Sequence, residues 1–304
     1  MNKKHCFSEI VLCLLASTSL AQAASAAPLK VVASFSIIAD FAANVGGGRI
    51  ELTTLVGPNG DAHVYEPKPA DAVAMSKADV ILVNGLQFEG FLPRLMQASG
   101  TKAPVVELTT GGQILKPELA GDESQDQGEF DPHAWQSIDN AKIYVKNIAA
   151  AFCAADRAGC ENYQANSAGY LERLEAMDLE IKAMVANIPL EKRVVITSHD
   201  AFGYFAKAYG LKFLAPEGVA TQSEASAGDI AALILQIRLE KASALFVENI
   251  SDPRLVEQIS RETAIKIGGA LFSDALSDAN GPAATYLDMM RHNAVTLKGA
   301  ISGS

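Results

Sequence analysis

The sequence predicts an α/β protein built as two similar parallel-sheet α/β lobes joined by a long linking helix. Two observations carry that prediction. Short, β-rich apolar runs alternate with helical patterns along most of the chain, the arrangement that gives parallel sheets covered by helices. Four such runs precede, and four follow, one long helical stretch at 162–188. That stretch repeats Leu171, Leu174, Met177, Ile181, Met184 or Val185, and Ile188 at helical spacing, and Pro189 stops it. At 1.5 Å per residue such a helix is ~40 Å long, enough to run beside both lobes. An ordinary surface helix of one large domain is the plainer alternative, and the four-and-four strand count argues against it.

Taken in order, strands are expected at 30–35, 51–56, 79–84 and 105–108 in the first half, with helices at 37–45, 69–76 and 91–98 between them. In the second half strands are expected at 193–197, 212–215, 244–248 and 265–268, and helices at 201–209, 227–241 and 253–263. Asp200 reads as the N-cap of the helix at 201–209. A helical tail at 286–297 carries His292, which reads as structural or exposed. The division is then an N-terminal lobe at 27–161, a linking helix at 162–189 and a C-terminal lobe at 190–304.

Residues 1–26 have the pattern of a secretory signal peptide: Lys3 and Lys4, an apolar run from Ile10 to Leu20, and small-residue cleavage sites at Ala21-Gln22-Ala23 or Ala24-Ser25-Ala26. The run is too short and too interrupted to span a bilayer. Cys13 suggests a lipoprotein, but Leu12 stands where a small residue would be expected, so a free periplasmic protein is the reading. Cys153 and Cys160 remain after removal, and in an oxidising compartment this short-range pair reads as a disulfide. Zinc ligation by the pair is the rival, and no second Cys/His pair lies nearby in sequence. The net charge is −10 for the full chain. Losing Lys3, Lys4 and Glu9 removes one positive charge, leaving −11. That balance disfavours nucleic acid and anionic membranes as partners.

The chain has 5 histidines, one of them, His5, in the leader. Three of the others stand in loops: His63 beyond the strand at 51–56 and the turn Gly57-Pro58-Asn59-Gly60, His133 in Asp131-Pro132-His133, and His199 directly after the strand at 193–197. Asp274 follows the strand at 265–268. In doubly wound sheets ligands bind beyond the carboxyl ends of strands, so a cleft between the lobes would gather two candidates from each. A lone loop histidine is usually a surface group, and a lone aspartate often caps a helix. The shared topological position is what argues otherwise. Three neutral imidazoles and a carboxylate suit zinc.

Longer motifs surround these residues. Ala62-His63-Val64-Tyr65-Glu66-Pro67-Lys68-Pro69-Ala70-Asp71, with Ala78-Asp79-Val80 and Asn84-Gly85, resembles the signature of the metal-binding solute receptors of bacterial ABC importers (cluster A-I). Asp131-Pro132-His133-Ala134-Trp135, Ser198-His199-Asp200-Ala201-Phe202-Gly203-Tyr204-Phe205 and Ser273-Asp274-Ala275-Leu276 are similar to that family's remaining ligand motifs, in the same order. The resemblance covers about 30–297. It implies two α/β lobes, one metal at their interface held by His63, His133, His199 and Asp274, a membrane permease as partner, and a monomer. Manganese receptors of the family carry glutamate at the third position and zinc receptors histidine, so His199 points to Zn(II) as transported ligand. Many zinc receptors have a histidine-rich loop ahead of the second ligand; here the stretch 116–131 holds acids and no histidine. It reads as a solvated loop, with a weak cation-collecting role as the sharper expectation. The match is closest to the free periplasmic subgroup with three histidines and an aspartate, some of which take zinc from a periplasmic chaperone.

A manganese receptor and a secreted zinc hydrolase are the competing functions. His199 disfavours the first. Asp274, as a fourth protein ligand, would close the position a catalytic water needs and disfavours the second. Because imidazoles must lose protons to bind metal, affinity is expected to fall as pH drops below ~6.5.

Overall fold

The computed structural model describes residues 27–116, 129–222 and 225–303. The leader at 1–26 and most of the acidic stretch at 116–131 lie outside those residues. The first lobe runs β1 (Leu29–Phe35), α1 (Ser36–Gly46), β2 (Ile50–Val56), α2 (Pro69–Ser76), β3 (Val80–Val83), α3 (Leu92–Ser99), β4 (Val105–Glu107). Its strands are all parallel in the order β2-β1-β3-β4. β3 is buried throughout and β1 nearly so, which is why both are almost unbroken apolar runs.

Two helices follow, α4 (Ile138–Ala155) and α5 (Cys160–Ala186). The second lobe is β5 (Val194–Ile196), α6 (Gly203–Tyr209), β6 (Lys212–Leu214), α7 (Ala227–Glu240), β7 (Ala244–Glu248), α8 (Arg254–Thr263), β8 (Ile267–Leu271) and α9 (Tyr286–Ser302). Its parallel order, β6-β5-β7-β8, repeats that of the first. In both sheets the first strand lies between the second and the third, so each lobe has a crevice where the chain changes direction, at β1/β3 and at β5/β7.

The long linking helix is α5, 27 residues and ~40 Å at 1.5 Å each. It buries Tyr163, Tyr170, Leu174, Met177, Ile181 and Val185 on one face. That face meets α1 and α4 of the first lobe and α6 and α9 of the second. The Cys153–Cys160 disulfide is formed and ties the last turn of α4 to the first residue of α5.

One continuous core takes in the first lobe, α5, α6 and α9, with Phe246 and Leu271 from the second sheet and Phe272 just beyond it. A separate, smaller core lies under α7 and α8: Ile196, Leu214, Leu233, Ile237, Ala242, Leu245, Val256 and Ile259.

Three expectations need correction. The alternation of runs marks no element at 138–155, whereas α4 is an 18-residue helix whose Ile138, Ala141, Tyr144, Val145, Ile148, Ala149 and Phe152 are buried at helical spacing. α6 begins at Gly203 with Phe202 at its N-cap, because Ala201 and Phe202 are drawn into the core, so Asp200 does not cap it. β8 lies at Ile267–Leu271, where it pairs with β7 across a register shift, rather than at 265–268.

Candidate metal centre

Each site residue is mounted by its main chain before its side chain matters. Asn59, at φ 55° in the left-handed region that asparagine tolerates, turns the chain after β2 and donates its N–H to the Leu276 carbonyl at 2.9 Å. Asp61 Oδ1 then accepts the His63 N–H at 2.8 Å, and the His63 carbonyl accepts from Gln222 at 3.1 Å. His133 repeats the Asp-x-His spacing: Asp131 Oδ1 accepts its N–H at 2.9 Å and also lies 2.8 Å from its Nδ1.

His199 follows β5, and Glu248 at the end of the neighbouring β7 accepts the N–H groups of Ser198 and His199 through Oε1 at 2.8 and 3.0 Å. Asp274 follows β8 on a segment held from both lobes: Asn293 of α9 bonds both main-chain groups of Phe272, and Asn249 Nδ2 donates to the Ala275 carbonyl at 3.2 Å. The Ser273 carbonyl accepts from Trp135 Nε1 at 2.8 Å and Gln136 Nε2 at 2.7 Å, and the Leu276 N–H donates to Ser36 Oγ at 3.0 Å.

The four side chains converge. One donor atom from each of His63, His133, His199 and Asp274 lies within 4.8 Å of all the others, and all four residues are buried. Asp274 Oδ2 is 3.2 Å from both His63 Nε2 and His199 Nε2, and Oδ1 is 3.6 Å from His133 Nε2. None of these buried nitrogens, nor either Asp274 oxygen, has an aligned hydrogen-bond partner among the described residues. Buried polar atoms without partners are costly, and here they aim at one point. A tetrahedral zinc with bonds of ~2.0–2.1 Å separates its donors by about 3.3 Å, so the residues present fit such an ion. Phe88 and Trp135 wall the centre, their rings 4.6 Å from His63 and 5.3 Å from His133.

The electrostatics are those of a buried carboxylate among imidazoles. Burial works against charge on every group, but His133 and His199 outweigh it at Asp274 and hold its carboxyl well below the usual carboxylate range. Burial opposes a charged His133 too, yet Asp274 and Asp131 push it up to about 9. His199 is likewise raised, by Glu248 and Asp274 against burial. His63 goes the other way: burial, joined by the neighbouring His133 and His199, outweighs Asp274 and lowers it.

All four sequence candidates are therefore gathered at one place. His63 and His133 lie in the first lobe, His199 and Asp274 follow strands of the second, and contacts to Trp135, Gln136 and Ser36 tie Asp274 to the first lobe as well. Asp200 and His292 stay outside the cluster. His292 lies 3.0 Å from the Ala270 carbonyl and packs on Phe272, a structural position. Sequence reasoning did not single out Asp131 or Glu248 as supports. Asp131 carried a signal in its spacing to His133, whereas Glu248 is visible only through the pairing of β5 with β7.

Comparison with known proteins gives the family. The profile of the family described as "Zinc-uptake complex component A periplasmic" matches residues 31–300. The chain belongs to that family. It is 33% identical over 293 residues, 94% of each chain, to the manganese ABC transporter substrate-binding lipoprotein PsaA of Streptococcus anginosus. It is 34% identical to the iron ABC transporter substrate-binding lipoprotein MtsA of Streptococcus pyogenes serotype M1, over 94% of this chain and 93% of that one. The solved periplasmic zinc binding protein TroA of Treponema pallidum superposes with a TM-score of 0.82 at 32% identity, covering 91% of this chain and 99% of its own. This family member is accordingly a metal-binding substrate-binding component of an ABC transporter, exported, partnered by a membrane permease, and not an enzyme.

Proposed function

We propose that the chain is a periplasmic zinc receptor that captures Zn(II) between its lobes through His63, His133, His199 and Asp274 and delivers it to its permease. The observation that carries this reading is the set of three buried Nε2 atoms and one carboxylate, unpartnered and converging, at separations that suit a tetrahedral ion. Three imidazoles make the donor set nitrogen-rich, which favours zinc over manganese. The burial of the site excludes competing water, and the aromatic wall fixes the rings. Zinc entering displaces the protons that Asp274, Asp131 and Glu248 hold on His133 and His199, so uptake releases protons and acid favours release.

A manganese reading draws on one observation: both Asp274 oxygens face the centre, Oδ1 toward His133 and Oδ2 toward His63 and His199, which adds a second oxygen donor. Competitive titration of the chelator-stripped protein with zinc and manganese, followed by elemental analysis, separates the two. One zinc per chain, not displaced by excess manganese and lost in His199→Ala, is expected. A preference for manganese, or tight zinc retained in His199→Ala, would overturn the zinc reading. We further propose that export removes 1–26 and leaves the chain free of a lipid anchor; the mass of the exported protein tests this.

A further inference from the structure

The three histidines are supported unequally. A carboxylate accepts the main-chain N–H of each: Asp61 for His63, Asp131 for His133, Glu248 for His199. Among the described residues only the last two carboxylates also reach the ring, at Nδ1. The free oxygen of Asp61 instead accepts the Thr221 hydroxyl at 2.6 Å. Asp131 is a local support, two residues from its histidine. Glu248 comes from another strand, is 3% exposed, and puts its Oε2 2.7 Å from His199 Nδ1. That contact is close but out of line for a hydrogen bond.

We propose that Glu248 is a positioning residue that sets the metal preference of the centre through His199. This rests on the reading that His199 is a metal ligand. With Nδ1–H committed to Glu248, the lone pair stays on Nε2 and faces the metal. A carboxylate behind an imidazole also makes it a stronger nitrogen donor. A borderline ion such as zinc gains more from a better nitrogen donor than manganese, which prefers oxygen. The negative charge of Glu248, by contrast, attracts every divalent cation alike. The ratio of zinc to manganese affinity therefore isolates the effect on the ring from simple electrostatics.

Glu248→Gln is the decisive variant. Its amide oxygen can keep the two main-chain hydrogen bonds, while its NH₂ faces Nδ1 and favours the ring form with the proton on Nε2, which cannot bind metal. Zinc affinity should fall about 10- to 100-fold, the usual effect of losing an outer partner, and manganese affinity should fall less, so that the ratio narrows. Equal losses for both metals, or no loss, overturn the positioning role. A second measurement needs no variant: zinc-loaded wild-type protein should show a slowly exchanging Nδ1–H of His199 by nitrogen-15 NMR, and coordination through Nδ1 overturns the proposal. His199→Ala separates the two levels of argument. Unchanged zinc binding there overturns the ligand assignment together with this inference. Binding lost there but intact in Glu248→Gln overturns the inference alone.

Discussion

The sheet β2-β1-β3-β4 and the sheet β6-β5-β7-β8 share one strand order, yet their helices rest on different foundations. In the first lobe α1 and α4 pack against α5 and contribute Phe41, Val45, Tyr144, Ile148 and Phe152 to the continuous core. In the second, α7 and α8 cover the small core of eight residues centred on Leu245, and α7 leaves Leu235 and Leu239 67% and 82% exposed. Topology decides which elements are neighbours. Buried apolar area decides how firmly they are held. A repeated fold thus gives one lobe continuous with the linking helix and one with an outer layer that is more nearly independent.

The centre tests the comparison most strongly. Asp274 follows a second-lobe strand, and Asn249 and Asn293 hold its segment there, yet the same segment is also bound to Trp135, Gln136 and Ser36, so this candidate ligand is tied to both lobes. Asp274→Ala is expected to weaken zinc binding by more than the ~10- to 100-fold that an outer partner costs. Isothermal titration measures this, and a loss under tenfold would mean that the three imidazoles suffice.

Next in size come paired core truncations. Leu174→Ala, in the continuous core, should lower the unfolding free energy by about 3–5 kcal/mol, and Leu233→Ala, under α7, by about 2–3 kcal/mol, since a thin layer relaxes more easily around a cavity. Hydrogen exchange sharpens the contrast: Leu233→Ala should speed exchange in α7 and α8 alone. Acceleration spread equally over both lobes would refute the idea of an independent outer layer.

A further effect is in pH. His133 is raised from 6.5 to about 9, and His199 is raised as well. Groups raised on folding contribute stability that is fully present below about 6.5 and lost as pH rises through about 9. The Tm of metal-free protein should therefore fall across that window while zinc affinity climbs, because fewer protons have to be displaced. This extends the expected pH dependence above the ~6.5 taken from free imidazole. Zinc affinity flat between those limits would argue against proton competition at these two rings.

The alternation of β-rich runs and helices was enough to read both parallel sheets and the linking helix, because each strand buried on two faces becomes a plain apolar run. The helix α4 is legible in its spacing from Ile138 to Phe152, where it adjoins the acidic stretch. His63, His133, His199 and Asp274 stood out as the chemistry-bearing residues of strand-end loops. Their convergence was not legible without the resemblance, since it depends on how the two sheets face each other. Glu248 was invisible for the same reason, lying 49 residues from His199 in sequence and joined to it only across β5 and β7.

The position of Trp135 gives the molecule an optical property. It is the chain's one tryptophan, fully buried, edge-on to His133, and its indole N–H reaches across to Ser273 beside Asp274. A protonated imidazole quenches indole emission, and an imidazole that has given up its proton to coordinate a metal no longer does so in the same way. This single indole touches both the ring that changes protonation and the segment that carries the carboxylate. The unlabelled protein should therefore signal its own loading in its fluorescence, from a residue whose packing already serves the fold.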